Sequence, residues 1–354
     1  MDERTILFTC AVYGGGIGKM LNYVLNICLR EFKHVMILFR EQDYAIPKGV
    51  EIIEIPKSST LMPVWRFRQI RDMRRKIKRV RPDIVCCFGS EQAVMVAVAL
   101  IGLGNIKLVQ ADRSDPYMRK KIWSIFVKWA FNCADRCVFQ LPKQGLWYGK
   151  KIIEKSIIIP NAVLNLNDVA QCTTRTRRPF VVGVGRFVYE KKFEDLIKAF
   201  NVIHEKHPEY NLVIYGDGPY RRKYEQIINE LNLQDCVKLP GYVNNVIDAI
   251  KDASVYVLSS LYEGMPNSLM EAMAAGVPTV STDCSPGGPE FLTDYGRRGL
   301  LVPVNDSDAI ADAVCRIIEN PKLSLELSYK GKEIIDLFSE DKISVKWINL
   351  FHSI

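Results

Sequence analysis

The sequence predicts an α/β protein made of two Rossmann-like domains facing each other across a cleft. Three observations predict it. The chain has 354 residues, too many for one ordinary core. Short apolar, β-branched runs alternate with helical patterns, and the pattern starts afresh after residue 180, as in parallel sheets covered by helices. Between the two series lies a polar stretch without periodicity, residues 164–179, LNLNDVAQCTTRTRRP, which reads as a linker. The domains are therefore expected at 1–163 and 180–340, with a last helix over 341–354 packing back on the first.

In the first half, Thr5–Cys10 reads as a strand, Gly14–Gly18 as a glycine turn, Lys19–Arg30 as a helix and Val35–Phe39 as a second strand. Residues 65–81 read as a helix, and Asp83–Phe88, Lys107–Ala111, Arg136–Phe139 and Ser156–Ile159 as strands. The second half gives strand Phe180–Val184, helix Phe193–His207, strand Leu212–Tyr215, a Gly216-Asp217-Gly218-Pro219 turn and helix Tyr220–Leu231. Strand Val237–Leu239, helix Val246–Lys251, strand Val255–Ser260, strand Thr279–Ser281 and helices Asp308–Glu319 and Lys322–Phe338 follow. In the last segment Ile343, Trp347, Leu350 and Phe351 stand at helical spacing.

Composition narrows the class. Hydrophobic residues make up 48% of the chain, as in globular proteins. The start, MDERTILFTC, lacks the basic and then apolar pattern of a signal peptide. No apolar run reaches the length of about eighteen residues that a membrane span requires. The ten cysteines are scattered and no CxxC pair finds a partner, which argues against a zinc site and for reduced thiols in a cytosolic protein. Charge is uneven: residues 1–162 hold 27 Lys and Arg against 14 Asp and Glu, and residues 163–354 hold 21 against 26. The first domain is thus expected to face an anionic surface.

The most telling stretch is Glu263 to Gly276, EGMPNSLMEAMAAG. Glu263 and Glu271 flank a loop-to-helix junction after a buried-type strand, at the sheet edge where open α/β folds bind ligands. Backbone N–H groups between them face outward, ready for an anion. Asn267 or Ser268 can cap this helix. Ser268-x-x-Glu271 is equally a capping box, which requires no ligand.

A second constellation, Gly183 to Lys192 (GVGRFVYEKK), also follows a strand. Arg186 offers a fork to phosphate oxygens and Lys191 a point charge; two solvated surface charges are the plain alternative. Val188 stands where a dinucleotide fingerprint needs its third glycine, and the Gly14–Lys19 turn lacks phosphate-loop spacing. That turn, through Gly15 and Gly16, lets backbone approach a ligand or is merely structural. Asp306-Ser307-Asp308 opens a helix and reads as a cap. The four histidines, His34, His204, His207 and His352, do not suggest a general base, so triad catalysis is not expected.

Arg186 and Lys191, Gly216 to Pro219, Gly241-Tyr242, and Glu263 to Glu271 stand in the order and spacing of retaining family 4 glycosyltransferases, which the chain resembles over nearly all of its second half. The first half matches more loosely, through the glycine turn, Arg81 to Val85 and Ile159-Pro160-Asn161. The resemblance implies a GT-B fold and a donor held mainly by the C-terminal domain. Arg186 and Lys191 would hold the diphosphate, Glu263 the sugar hydroxyls and Glu271 the ribose. Backbone around Gly264, Met265, Pro266, Asn267, Ser268 and Leu269 would touch sugar and phosphate, with Gly185 and Gly216 lining the site and Gly241 and Tyr242 near the base. No metal or other cofactor is implied. Where many members carry a first-domain histidine, this chain has Asp112-Arg113-Ser114-Asp115-Pro116; Asp112 or Arg113 could replace it, and a cap by Ser114 or Asp115 is the alternative.

Residues 65–81, WRFRQIRDMRRKIKRVR, hold nine Lys and Arg and one acid, with Trp65, Phe67, Ile70, Met73 and Ile77 on one stripe. Residues 118–131 mix Lys and Arg with Trp123, Phe126, Trp129 and Phe131. Basic amphipathic helices with aromatics suit an anionic membrane surface. A solvated face for the first segment and a core role for the second remain open. No RNA-binding motif accompanies the charge. The expected activity is transfer of a hexose or N-acetylhexosamine from a nucleotide-sugar, in the first instance a UDP-sugar, to a glycan such as a polyprenyl-diphosphate-linked saccharide in capsule, exopolysaccharide or O-antigen assembly, by a protein on the inner face of the cell membrane. A catalytically silent nucleotide-sugar-binding partner and a nucleotide-sugar epimerase are the alternatives.

Overall fold

A computed structural model describes residues 1–13, 15–39, 41–42, 45–54, 62–90, 92–164 and 177–354. They form two compact units, Met1–Asn161 with Asp341–Ile354, and Ala162–Glu340. Of the expected linker, residues 165–176 lie outside the described residues.

The first unit runs β1 (Asp2–Thr9), β2 (Val12–Tyr13), α1 (Gly15–Glu31), β3 (Phe32–Phe39), β4 (Glu41–Gln42), β5 (Glu51–Glu54), α2 (Met62–Val80) and β6 (Ile84–Phe88). Then come α3 (Ala93–Leu100), β7 (Lys107–Asp112), α4 (Lys121–Asn132), β8 (Arg136–Phe139), α5 (Pro142–Tyr148), α6 (Lys150–Ile153) and β9 (Ser156–Ile158). Its seven-stranded sheet, ordered β5-β3-β1-β6-β7-β8-β9, is parallel throughout. β6 is buried along its whole length, as expected of a parallel strand covered on both faces.

The second unit runs β10 (Arg178–Val184), a 3₁₀ turn (Tyr189–Lys191), α7 (Phe193–Lys206), β11 (Asn211–Tyr215), α8 (Arg221–Glu230), β12 (Val237–Gly241), α9 (Val246–Ile250) and β13 (Ala253–Leu258). It continues with α10 (Asn267–Ala274), β14 (Thr279–Thr282), α11 (Gly288–Thr293), β15 (Leu300–Val302), α12 (Ser307–Glu319), α13 (Pro321–Gly331) and α14 (Glu333–Leu337). The sheet order is β12-β11-β10-β13-β14-β15, again all parallel. From the central pair β10 and β13 the chain winds outward in both directions. That pair is the topological switch point, beside which ligands bind in open sheets.

α15 (Glu340–His352) packs on the first unit's sheet. Trp347 and Phe351 are buried; Trp347 lies 5.8 Å from the Phe88 ring and Phe351 5.8 Å from Phe8, centroid to centroid. Trp347→Ala is expected to destabilise this unit by about 3–5 kcal/mol, read as a lower denaturant midpoint of the full chain. An unchanged midpoint would remove α15 from the core.

Some elements differ from the sequence reading. α1 starts at Gly15, in the left-handed region at φ +56°, four residues before the expected start. The helix expected over Lys322–Phe338 breaks at Lys332 into α13 and α14. α3, AVMVAVAL, is apolar all round and so lacks the periodicity that marks a helix.

Candidate functional site

Strands β10 and β13 end side by side, so the loops behind them share one sheet edge. Backbone hydrogen bonds tie these loops together. After β10, the Gly185 N–H donates to Tyr215 O at 3.0 Å and the Phe187 N–H to Asp217 O at 2.8 Å; after β11, the Gly216 N–H donates to Gly241 O at 2.8 Å. A Cβ on Gly216 would lie 1.8 Å from Gly185 O, so only glycine allows this approach. Asp217, its Oδ1 accepting from Gly218 N–H at 2.7 Å, also accepts from Arg221 Nε at 2.9 Å. Beyond Gly241, Tyr242 stands largely exposed.

The 3₁₀ turn that carries Lys191 is fastened to the loop after β13. The Ser259 hydroxyl donates to Lys191 O at 2.8 Å, and the Leu261 N–H donates to Glu190 O at 2.8 Å. The Lys191 side chain therefore crosses over Gly185 and its ammonium donates to Glu263 Oε1. The same oxygen accepts from the Ser260 hydroxyl at 2.9 Å. Both side chains are mostly buried, 17% and 15% exposed, in a setting where the Coulomb attraction is only partly screened. Arg186, one loop residue away from Gly185, is exposed.

Glu263 leads into α10, whose N-cap is Pro266. Asn267 and Ser268 therefore stand inside the helix, which corrects the expected cap at either and the capping box built on Ser268. The Ser268 hydroxyl instead hydrogen-bonds the Tyr256 hydroxyl at 2.8 Å, a buried group whose pKa burial drives upward. A helix start at this sheet edge turns its first backbone N–H groups toward the place where an anion binds in such folds. Met265 and Leu269 are buried beneath the loop, and Glu271, also buried, sits on the first turns of α10.

Sequence reasoning missed the support beneath this loop. The Glu263 N–H donates to Ser285 O at 2.8 Å, and a Cβ on Gly288 would lie 1.8 Å from Gly264 O. The Gly-Gly pair between prolines in SPGGPE, just past a strand, was the available signal. Cys284 in this segment is no nucleophile: burial first, and the nearby Glu263 charge second, push its thiol up to about 12.

In the first unit, Asp112 is fully buried and accepts from Arg119 Nη2 at 2.6 Å, the Tyr148 hydroxyl at 2.7 Å and the Ser114 hydroxyl at 2.9 Å. Arg113 is buried over the Phe88 and Trp347 rings at 4.7 and 5.2 Å and donates to Ile159 O at 3.2 Å and Asn161 Oδ1 at 3.3 Å. Both are committed to interior partners, which corrects their expected exchange for a ligand-facing histidine. Ser114 is no helix cap either, being followed by turns up to α4. Gly15 and Gly16 lie exposed at the start of α1; Gly14 lies outside the described residues. Asp306 is the N-cap expected of it, accepting from Ala309 N–H at 2.8 Å.

On α2, Met73 and Ile77 are buried and Ile70 is half-buried, whereas Phe67 is exposed; the Trp65 side chain lies outside the described residues. Arg74 is committed internally, donating to Ala99 O at 2.8 Å and Ile101 O at 2.6 Å. On α4, Val127 and Phe131 join the core, but Ile122, Ile125, Phe126 and Trp129 are exposed. The Arg66 guanidinium lies 4.9 Å from the Trp123 ring and so joins α2 to α4. Among the described residues, no helix is long and apolar enough to cross a membrane.

Residues 167–334 match the family model of the glycosyl transferases group 1. An uncharacterized glycosyltransferase of Methanocaldococcus jannaschii is 27% identical over 83% of this chain and 85% of its own. A Campylobacter jejuni N-acetyl-D-galactosaminyltransferase, named for extending a GalNAc-containing saccharide on diphosphoundecaprenol, is 23% identical over 95% of this chain and 94% of its own. Among solved structures, an Anabaena protein in complex with UDP and glucose superposes with a TM-score of 0.81 at 16% identity, covering 99% of this chain and all of that one. Sucrose-phosphate synthase of Thermosynechococcus elongatus gives 0.84 at 20%, covering 99% of each. These likenesses show the fold: two parallel Rossmann-like sheets of the GT-B class.

Proposed function

We propose that this chain, a glycosyltransferase with the group 1 domain in residues 167–334, moves a hexose or N-acetylhexosamine from a nucleotide-sugar, a UDP-sugar in the first instance, to a lipid-linked glycan with retention at the anomeric carbon. The observation that carries the reading is the contact of Lys191 with Glu263 beside the start of α10. A cation, a carboxylate and a helix N-terminus at one sheet edge suit a sugar diphosphate: the cation and the helix start take the phosphates, the carboxylate takes sugar hydroxyls.

Lys191, with Arg186, stabilises the departing diphosphate, the charge-directed support that contributes most in such reactions. Glu263 orients the sugar and Glu271 the ribose. On this reading no protein nucleophile is used and no metal is needed, since cations and N–H groups neutralise the leaving group. The Campylobacter relative's printed acceptor supports a diphosphopolyprenol-linked saccharide, and the Anabaena structure's ligands support UDP-glucose-type donors.

A thermal-shift panel of UDP-, GDP- and ADP-sugars, followed by NMR of the product's anomeric centre, tests this. The expected result is stabilisation by one nucleotide class and an anomeric configuration unchanged from the donor. No stabilisation by any of them, or inversion, contradicts it. Hydrolysis of the donor without acceptor separates the transferase from a silent binding protein.

The exposed apolar residues of α4 and the cations of α2 support docking of the first unit on an anionic bilayer. Each Lys or Arg near such a surface adds about 1 kcal/mol, and buried apolar side chains add to it. Ile122→Asp with Ile125→Asp is expected to release the protein from phosphatidylserine vesicles in a flotation assay while turnover of a soluble acceptor stays unchanged. Vesicle binding that survives rules this face out. Arg75 and Lys78 suit a parallel charge-reversal test, because Arg74 caps carbonyls at the C-terminal end of α3 and its loss would disturb the fold as well.

A further inference from the structure

At the opposite edge of the second sheet, where helices end and strands begin, three side chains with metal-binding atoms meet. His207 follows the last residue of α7, and Cys315 and Glu319 stand one turn apart on α12. One ligand atom from each lies within 4.8 Å of the other two. His207 Nε2 is 3.0 Å from Glu319 Oε1. Its other ring nitrogen, Nδ1, faces Glu209 Oε1 at 3.8 Å. We propose that His207, Cys315 and Glu319 form a binding site for a borderline-soft divalent cation of the Zn²⁺ class, which staples the end of α7 to the end of α12.

The donor set fits the ion. Imidazole, thiolate and carboxylate are ligands that Zn²⁺ takes at about 2.0–2.3 Å in tetrahedral sites, whereas Mg²⁺ and Ca²⁺ prefer oxygen alone. Such bond lengths put neighbouring donors about 3.3–3.6 Å apart, so the cluster needs only a modest closure. Glu319 is exposed and can rotate to supply it, while the thiol is held in place by burial. Glu209 Oε1, 3.8 Å from the ring nitrogen that does not bind the ion, stands on the side where a supporting carboxylate belongs. The remaining position is open to water. On binding, the Cys315 S–H gives its proton to the buffer and the sulfur forms a bond to the metal, with no change of oxidation state.

The site lies away from Lys191 and Glu263 and owes nothing to the transferase reading. The test uses the full chain freed of metal by chelator dialysis and titrated with Co²⁺, then displaced by Zn²⁺. One equivalent is expected, with near-ultraviolet thiolate-to-cobalt absorption that Zn²⁺ abolishes. Cys315→Ser should remove that absorption, and His207→Ala and Glu319→Gln should each weaken binding by about tenfold or more, within the 10–100-fold range of supporting groups or beyond it. Cys133→Ser, which alters an exposed thiol elsewhere, should change nothing. Absence of saturable binding, or binding that survives both His207→Ala and Glu319→Gln, overturns the proposal. These two variants keep the test decisive should Cys315→Ser fail to fold.

Discussion

Lys191→Ala lowers kcat/KM for the nucleotide-sugar by about 10²–10³-fold, the range seen when one preorganised donor to a developing negative charge is removed. Two effects combine. The diphosphate loses a charge-assisted hydrogen bond worth about 1.5–3 kcal/mol. Glu263, which now accepts from the Lys191 ammonium and the Ser260 hydroxyl, is left as an unneutralised, mostly buried carboxylate where an anionic substrate must enter. The second effect makes the pair non-additive. Adding Glu263→Gln to Lys191→Ala should restore part of the lost donor affinity, although Glu263→Gln alone lowers turnover. Steady-state kinetics and donor titration of the four proteins in the cycle decide it. Strict additivity would mean that Lys191 and Glu263 act on separate parts of the molecule.

Gly288→Ala is expected to lower kcat/KM by about 10²-fold although Gly288 carries no chemistry, because a displacement of about 1 Å at a reacting group costs that much. The new methyl group would sit 1.8 Å from Gly264 O and 3.2 Å from Pro266 Cδ. Since the first of these is a backbone atom, the loop carrying Glu263 must move. Gly331→Ala is the matched control: its methyl group meets nothing closer than Met273 O at 3.5 Å, ordinary contact, and alanine is the better helix former. Kinetics of the two variants at equal folded fraction make the comparison. Equal activity in both would show that the Glu263 loop tolerates displacement.

The parallel architecture was legible because buried strands are continuous apolar runs between turn signals, as in Ile84–Phe88 and in the VYVL of residues 255–258. The elements missed have local reasons. Leu300–Val302 is three residues long, too short to show a period, and Ala93–Leu100 has no polar face. In the site, Arg186, Lys191 and Glu263 were legible as residue types in loops behind strands, and Glu271 as one on the helix that follows. Their contacts were not, since Lys191 and Glu263 are 72 residues apart and meet only because β10 pairs with β13. Ser268 shows the limit of local reading: its spacing to Glu271 suits a capping box, but Tyr256, from the strand behind it, takes its hydroxyl. Asp112 and Arg113 follow a strand just as Arg186 does, yet Tyr148, Arg119 and the aromatic rings of Phe88 and Trp347 turn them inward, and spacing carries no trace of that.

Calorimetric titration of UDP and of a UDP-hexose into the wild type and Glu271→Gln tests the donor seat most directly. A carboxylate on the ribose, which both ligands contain, must weaken both by the same factor, about tenfold for one charge-assisted hydrogen bond. Unchanged affinity for both ligands, or a loss confined to the sugar-bearing one, would contradict the assignment of the two glutamates and the seat built on it.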